Sequence, residues 1–371
     1  MISDIGDLLV LVGKNGVGKT NIFRALHWVS EILSTNAISY DEIGSGEAQG
    51  VGVEVLIDGK KLVYSVEVGA RVVYTNSSHR VDFSVLESLH ARLANGSLDR
   101  IYVRENNEVT VGIEGIKLPI GDSSVASLSI TSLLPAHSAT PVVQSFVRFV
   151  SKFSHNHLDT PSTERSSRFL AAEDFLSWQK SPVQTAALPS DTEMRLLDLK
   201  NRKPEVYEEL TALLCQIGII DSFDIAEVAL DLHGKPRFYV FNWTPKYQAS
   251  GDARGWNELS FGTRRLIKLF VAFFYQEDSV FMLEQPEDGI HAGLLHEILP
   301  MLRTYVAERQ ILIATHSPEV MNAASPNEIR IVHSNGGVTS VRELSIDELD
   351  AATAYLQNDG PLYNFIDMIE G

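Results

Sequence analysis

The sequence predicts an α/β fold: a mostly parallel sheet core assembled from both ends of the chain, with an antiparallel β subdomain and a mainly helical insertion between them. Three observations lead there. A short, continuously apolar run, Leu8-Leu9-Val10-Leu11-Val12, precedes apolar residues at helical spacing from Asn21 to Leu33, the pattern of a buried parallel strand feeding a helix. From Gly50 to about Ile113 the pattern changes to alternating strands punctuated by turns. After Gly255, strand and helix patterns alternate again as far as Val332.

Taken in order, Gly52 to Ile57 and Lys61 to Val68 flank Asp58-Gly59 and predict a β-hairpin, because that dipeptide accepts the positive φ angles of a tight turn. Residues 120 to 215 read as mainly helical, with Val142 to Phe153 and Pro204 to Ile217 the clearest pieces and a polar stretch around His155 to Ser167 between them. Strands return at Ile225 to Leu232 and Arg237 to Phe241. A helix follows from about Ser260, then a strand at Val280 to Leu283, a helix from Ala292, and strands at Gln310 to Ala314 and Glu328 to Val332. This divides the chain into an N-terminal part of the core with the β subdomain (1–119), a helical insertion (120–220) and a C-terminal part of the core (221–371).

Composition bounds the function classes. The 371 residues are 44% hydrophobic, enough for a sizeable packed core. No apolar run is long enough to span a membrane, and Asp4 and Asp7 stand where a signal peptide needs basic residues, so the chain reads as cytoplasmic. The one cysteine, Cys215, sits in an apolar run, excludes an internal disulfide, and reads as an inert buried thiol. A net charge of −17 excludes a surface that is basic everywhere but leaves room for a local groove, so nucleic acid stays a possible partner. Arg195, Lys200, Arg202 and Lys203 read as a solvated helical face, and His155 and His157 as ordinary loop histidines.

Gly13-Lys14-Asn15-Gly16-Val17-Gly18-Lys19-Thr20 matches the G-x-x-x-x-G-K-[ST] pattern between a strand and a helix, the context that its mechanism requires. Glycines let backbone N–H groups turn inward around phosphate oxygens, and the helix presents its positive dipole end to them. Gly13, Asn15, Gly16 and Gly18 would line the phosphates of ATP, Lys19 would supply a point charge to the β- and γ-phosphates, and Thr20 a hydroxyl to Mg²⁺.

Three further segments carry a resemblance. Leu259-Ser260-Phe261-Gly262-Thr263-Arg264-Arg265 precedes a long apolar helix, which Ser260 could cap. The apolar strand Val280 to Leu283 ends in Glu284-Gln285-Pro286-Glu287, followed by Asp288-Gly289-Ile290-His291, and places an acid where a nucleotide-binding sheet holds its metal. Gln310 to Ala314 runs into Thr315-His316-Ser317-Pro318. With the phosphate loop, these segments resemble the ABC-type ATPases of the RecF/SMC-like and OLD-like branch, over roughly residues 5–35 and 255–335.

The resemblance implies an ABC-type P-loop ATPase core. It implies two ATP molecules sandwiched in a head-to-tail dimer, each held by the loop of one copy and by Ser260 and Gly262 of the other. Glu284 would hold Mg²⁺, Asp288 to His291 would form the loop that crosses the dimer interface, and His316 would contact the γ-phosphate and sense its departure. Gln285 departs from the pattern, since the family has there the carboxylate that polarises the attacking water. An amide can hydrogen-bond that water but cannot take its proton, so slow turnover is expected. An engineered substitution that traps the ATP-bound dimer and a natural use of ATP as a structural switch both fit. Glu287 is a weaker candidate for the missing base, expected to point elsewhere because Pro286 intervenes. The glutamine that closes the metal site in the family is not identifiable; Gln49 and Gln144 are candidates. Only 12 residues precede Gly13, where the family has a further strand.

By analogy the chain is expected to be an ATPase subunit that dimerises on ATP and regulates an effector in bacterial anti-phage defence. The chain ends at Gly371, soon after the core, so the effector is expected to be a separate polypeptide. The alternative is a DNA-binding repair ATPase of the RecF kind.

Overall fold

The computed structural model describes residues 6–38, 48–74, 79–121, 124–158, 169–180, 192–230, 236–246, 252–304 and 309–370. The chain forms two compact units, one of Met1–Thr20 with Ser154–Gly371 and the other of Asn21–Phe153. The divisions at 119/120 and 220/221 expected from the sequence do not coincide with these units.

In chain order, β1 (Leu8–Val12) leads through the phosphate loop into α1 (Lys19–Thr35). The second unit then lays down β2 (Ala48–Ile57), β3 (Lys60–Tyr74), β4 (His79–Arg92), β5 (Leu98–Glu105), β6 (Glu108–Val111) and β7 (Ile116–Pro119), followed by α2 (Ala126–Leu133) and α3 (Thr140–Val150). These strands pair antiparallel in sequence order, because each is joined to the next by a connection too short for a crossover. The hairpin expected at Asp58-Gly59 is there, with φ of 50° and 73° at its two turn residues. Tyr64 of β3 lies 5.0 Å ring to ring from Phe146 of α3, both fully buried, and anchors that helix on the sheet.

The other unit resumes with β8 (Phe153–His157), β9 (Phe169–Ala171), α4 (Ala172–Lys180), α5 (Thr192–Arg202), α6 (Pro204–Gln216), β10 (Ile220–Leu230) and β11 (Pro236–Pro245). It continues through α7 (Phe261–Tyr275), β12 (Val280–Glu284), α8 (Ala292–Thr304), β13 (Gln310–Ala314), α9 (Pro318–Asn322), β14 (Ile329–Asn335), β15 (Val338–Glu343), α10 (Ile346–Asn358) and α11 (Leu362–Glu370). Its main sheet has the order β15-β14-β1-β13-β12-β8. β1 pairs parallel with both β13 and β14, and β12 with β13, so strands from the two ends of the chain do share one parallel sheet. Every residue of β1 and β12 is buried, as expected of parallel strands covered on both faces. A separate sheet, β10-β11-β9, packs Phe223 flat on Trp243 at 3.8 Å.

Several expectations are corrected. The polar stretch after Val150 begins with a strand of the main sheet, β8, and not with a loop. Its Ser-His-Asn-His alternation has no apolar face for a pattern reading to find, since the neighbouring strand supplies the partners. Arg195 and Lys200 are used inside their own unit and do not belong to a solvated face, whereas the Arg202 and Lys203 side chains are 59% and 42% exposed. Arg195 is buried with its guanidinium 5.1 Å from the Tyr275 ring, Lys200 donates to the Ile225 carbonyl at 2.9 Å, Arg202 pairs with Asp198 at 3.0 Å and Lys203 with Glu277 at 2.6 Å. Cys215 is half-buried, not buried; partial burial still pushes its thiol pKa up, which keeps it in the unreactive form. Among the described residues no helix is long and apolar enough to cross a membrane.

Candidate nucleotide site

The site assembles at the carboxyl ends of β1, β12 and β13, which are adjacent in the main sheet. Parallel pairing forces the loops that follow these strands onto one edge, so segments some 270 residues apart in the chain become neighbours there.

The phosphate loop leaves β1 at Gly13 and enters α1 at Lys19. Gly18 adopts φ +104°, and a side chain there would run into Thr339 of β15, so only glycine fits. Thr339 also donates its hydroxyl to the Val17 carbonyl at 2.8 Å, so the β14–β15 hairpin braces the loop from its outer side. Lys19 is 8% exposed and turns its ammonium onto the loop's own Gly13 and Lys14 carbonyls, at 2.5 and 3.1 Å. A lysine held by the carbonyls of the turn it closes lies beside any phosphate that enters that turn.

Thr20 donates its hydroxyl to Oε1 of Glu284, the last residue of β12. The other oxygen, Oε2, lies 3.1 Å from Nε2 of His155 on β8, the next strand over. Glu284 is 6% exposed and is therefore held on both oxygens. A hydroxyl beside a carboxylate is the hard oxygen set that suits Mg²⁺, so these two residues fit the ion that the phosphate loop implies. His155 is the residue that sequence reading missed. Its signal, a histidine on a polar strand, becomes readable only once β8 is known to flank β12. The side chain of His157 lies outside the described residues. Gln49 and Gln144 belong to the other unit, on β2 and α3.

Gln285 follows β12 with φ +46°, a left-handed conformation that costs a glutamine of the order of 1 kcal/mol and persists only where the surroundings impose it. Its N–H donates to the Ala314 carbonyl of β13 at 2.9 Å, and its own carbonyl accepts from the buried Arg265 at 2.8 Å. Arg265 also approaches Asp288, at 3.9 Å. The helix that begins at the signature segment thus clamps the acidic turn through one guanidinium.

At the head of that helix Ser260 accepts from the Thr263 N–H at 3.1 Å, so the cap expected from the sequence is formed. A side chain at position 262 would meet the Gly289 carbonyl at 2.5 Å. Close packing between the two turns is therefore enough to require glycine at 262. Ser260 and Phe261 are exposed.

Glu287 is held against the turn that follows β13. The turn 285–290 curls back, with Asp288 N–H on the Gln285 carbonyl and Ile290 N–H on the Glu287 carbonyl, both at 3.2 Å. Oε1 of Glu287 then accepts from the Thr315 hydroxyl at 2.8 Å and the His316 N–H at 3.1 Å, and lies 3.3 Å from Nδ1 of His316. Since β12 and β13 are neighbours, the turns that follow them touch. The His316 ring is 45% exposed and faces outward from this anchor.

Residues 247–322, which span the turn at Ser260, the acidic turn and His316, match the family model described as "AAA domain, putative AbiEii toxin, Type IV TA system". No curated protein matches the chain. Among solved structures the chain is similar to an SMC head bound to the C-winged helix domain of ScpA, at 12% identity and a TM-score of 0.43 over 94% of this chain and 93% of that one. It is similar to the SMC head domain from Thermotoga maritima at 13% and 0.39, over 93% of each chain. It is also similar to the Smc head domain with an extended coiled coil, bound to the C-terminal domain of ScpA, from Pyrococcus furiosus, at 11% and 0.40 over 95% and 94%. The match over residues 247–322 takes in three of the segments that carry the resemblance read from the sequence.

Proposed function

We propose that the chain binds ATP with Mg²⁺ at the loop Gly13–Thr20 and uses it as a slowly reset switch. The observation that carries this reading is the contact between the Thr20 hydroxyl and Glu284 beside a phosphate loop whose lysine is already turned inward. Lys19 and the loop amides would hold the β- and γ-phosphates, and Thr20 and Glu284 the metal. Mg²⁺, when bound, supplies charge neutralisation between the β- and γ-phosphates; the rest of the work falls to the chain.

Ser260 and Gly262, on an exposed turn at a helix start, suit the second half of a shared site, closing over the nucleotide of another copy in a head-to-tail dimer. Gln285 sits where the turn would present a base to water, and its amide can orient a water but not deprotonate it. The ATP-bound dimer should therefore persist, which suits control of a separate effector better than rapid turnover. The matched family's description names a toxin of a type IV toxin–antitoxin system, which favours a role in anti-phage defence over DNA repair.

Mass measured by light scattering with and without ATP·Mg²⁺ tests the reading. A shift to a dimer with ATP that Lys19→Ala abolishes supports it; no nucleotide binding at all overturns it. Duplex DNA binding that requires ATP and weakens steeply with salt would instead favour the repair alternative.

A further inference from the structure

We propose that His155 is a third ligand of the nucleotide's metal ion, so that the site takes Mn²⁺ in preference to Mg²⁺; this rests on the ATP reading above and names the ion that the site selects. Three donors stand around one carboxyl group. The Thr20 hydroxyl meets Oε1 of Glu284, and Nε2 of His155 lies 3.1 Å from Oε2. The His155 and Glu284 side chains are only 13% and 8% exposed. Each donor comes from a different element: Thr20 from the first turn of α1, Glu284 from the end of β12, and His155 from β8, the strand beside it. The residues on either side of His155 fix β8 without help from any ion. Ser154 donates its hydroxyl to Asp278 at 2.6 Å, and the Asn156 amide donates to the Ser154 hydroxyl at 3.0 Å and to the Met282 carbonyl at 3.5 Å. Positions 154 and 156 share one face of the strand, which leaves His155 on the other, against Glu284.

The nitrogen decides which ion is favoured. Mg²⁺ keeps oxygen ligands and dehydrates reluctantly, so an imidazole adds little to its binding. First-row transition ions accept nitrogen, with affinity rising from Mn²⁺ along the series. Mn²⁺ binds phosphate, carboxylate and hydroxyl oxygens as Mg²⁺ does and takes the imidazole as well, so two hard oxygens with one ring nitrogen suit it. Neighbouring ligands on an octahedral ion at about 2.1 Å stand about 3 Å apart, close to the separation found between Nε2 and Oε2. The neutral ring with its proton on Nδ1 turns the Nε2 lone pair toward Glu284, where the ion would be held; with its proton on Nε2 the same ring donates to Oε2 when no ion is bound.

The test uses the full chain with ATP and with Mn²⁺ as the probe, and compares the native protein with His155→Gln and His155→Ala. Glutamine keeps a hydrogen-bonding group beside Oε2 while removing the ring nitrogen. Pulsed electron paramagnetic resonance of the ATP-bound Mn²⁺, in protein grown with histidine of isotopically labelled nitrogen, should show a histidine coupling in the native chain and none in either variant; the label separates it from the nitrogens of adenine. Competition of Mg²⁺ against bound Mn²⁺ gives a second readout: the preference for Mn²⁺ should be at least about tenfold greater in the native chain than in either variant. No histidine coupling in the native chain overturns the proposal, and that measurement needs no variant to fold. A coupling that survives in either variant also overturns it, as does an equal loss of affinity for the two ions, which is what a histidine that merely steadies Glu284 would give. Failure of the native chain to bind ATP with either ion would sink the ATP reading itself, an outcome distinct from all of these.

Discussion

Two glutamates, one in each unit, show how differently a carboxylate can be held. Glu87 of the β unit is fully buried with both oxygens engaged: Oε1 accepts from the Tyr102 hydroxyl at 2.8 Å and Oε2 from the Ala126 N–H at 2.9 Å, with Arg104 at 3.8 Å. Arg104, equally buried, spends its donors on the Asn106, Ser124 and Gly121 carbonyls. The cluster closes on itself and pins the start of α2 to the sheet. Glu287 of the other unit sits at a sheet edge, satisfies a turn with one oxygen, leaves the other without a hydrogen bond among the described residues and points at a half-exposed histidine. The difference teaches that burial alone does not mark a site. Unspent hydrogen-bonding capacity beside a solvent-facing partner does.

The largest expected effect comes from adding charge at the open turn. Gln285→Glu should raise ATP turnover by about 10² to 10⁴, the usual worth of a general base. Equal rates for the two forms, measured by phosphate release, would remove Gln285 as the cause of slow turnover. Emptying the closed cluster should act on stability instead. Glu87→Ala removes the carboxylate beside the buried Arg104 charge and takes the acceptor from the Ala126 N–H, and should cost about 3–5 kcal/mol by chemical denaturation. Glu287→Ala, at the sheet edge, should cost far less stability but slow turnover; the reverse ranking would break the comparison.

His155→Ala removes the contact on the second oxygen of Glu284. It should raise the Mg²⁺ concentration needed for ATP binding about tenfold or more, while ATP binding at saturating metal is preserved. No change in the Mg²⁺ titration would reduce His155 to packing.

The smallest effect is a pH slope. Burial pushes the Glu87 carboxyl above the ordinary carboxylate range, partly offset by the Ala126 N–H and the Tyr102 hydroxyl. As pH rises from about 4.3, the unfolded chain ionises first, so the native protein should lose stability relative to Glu87→Gln until the raised pKa is passed, and the difference should then level off. Parallel stability curves from pH 4 to 8 would show that Glu87 titrates alike in both states.

Much of this was legible in the residues. The phosphate loop, the acidic strand end, the switch histidine and the Asp58-Gly59 hairpin each depend on neighbours within about ten positions, because turns, caps and strand faces are set by local backbone chemistry. β8 was not legible: its segment Ser154-His155-Asn156 has no apolar face, and its partners, Asp278 and the Met282 carbonyl, lie more than 120 positions away. Arg195 and Lys200 were misread for the same reason, since Tyr275 and Ile225 that engage them are distant in sequence.

By itself the sequence determined that a strand, a glycine loop, a lysine and a threonine occur in the order that phosphate binding requires, and that glutamine stands beside the acid that ends the apolar strand. Only the tertiary structure decided which side chains meet at the sheet edge. The strand order β1-β13-β12-β8 brings His155 onto Glu284 and turns Glu287 onto His316. Strand order in a parallel sheet is set by long crossovers and by burial on both faces, and neither leaves a local mark on the residues that it brings together.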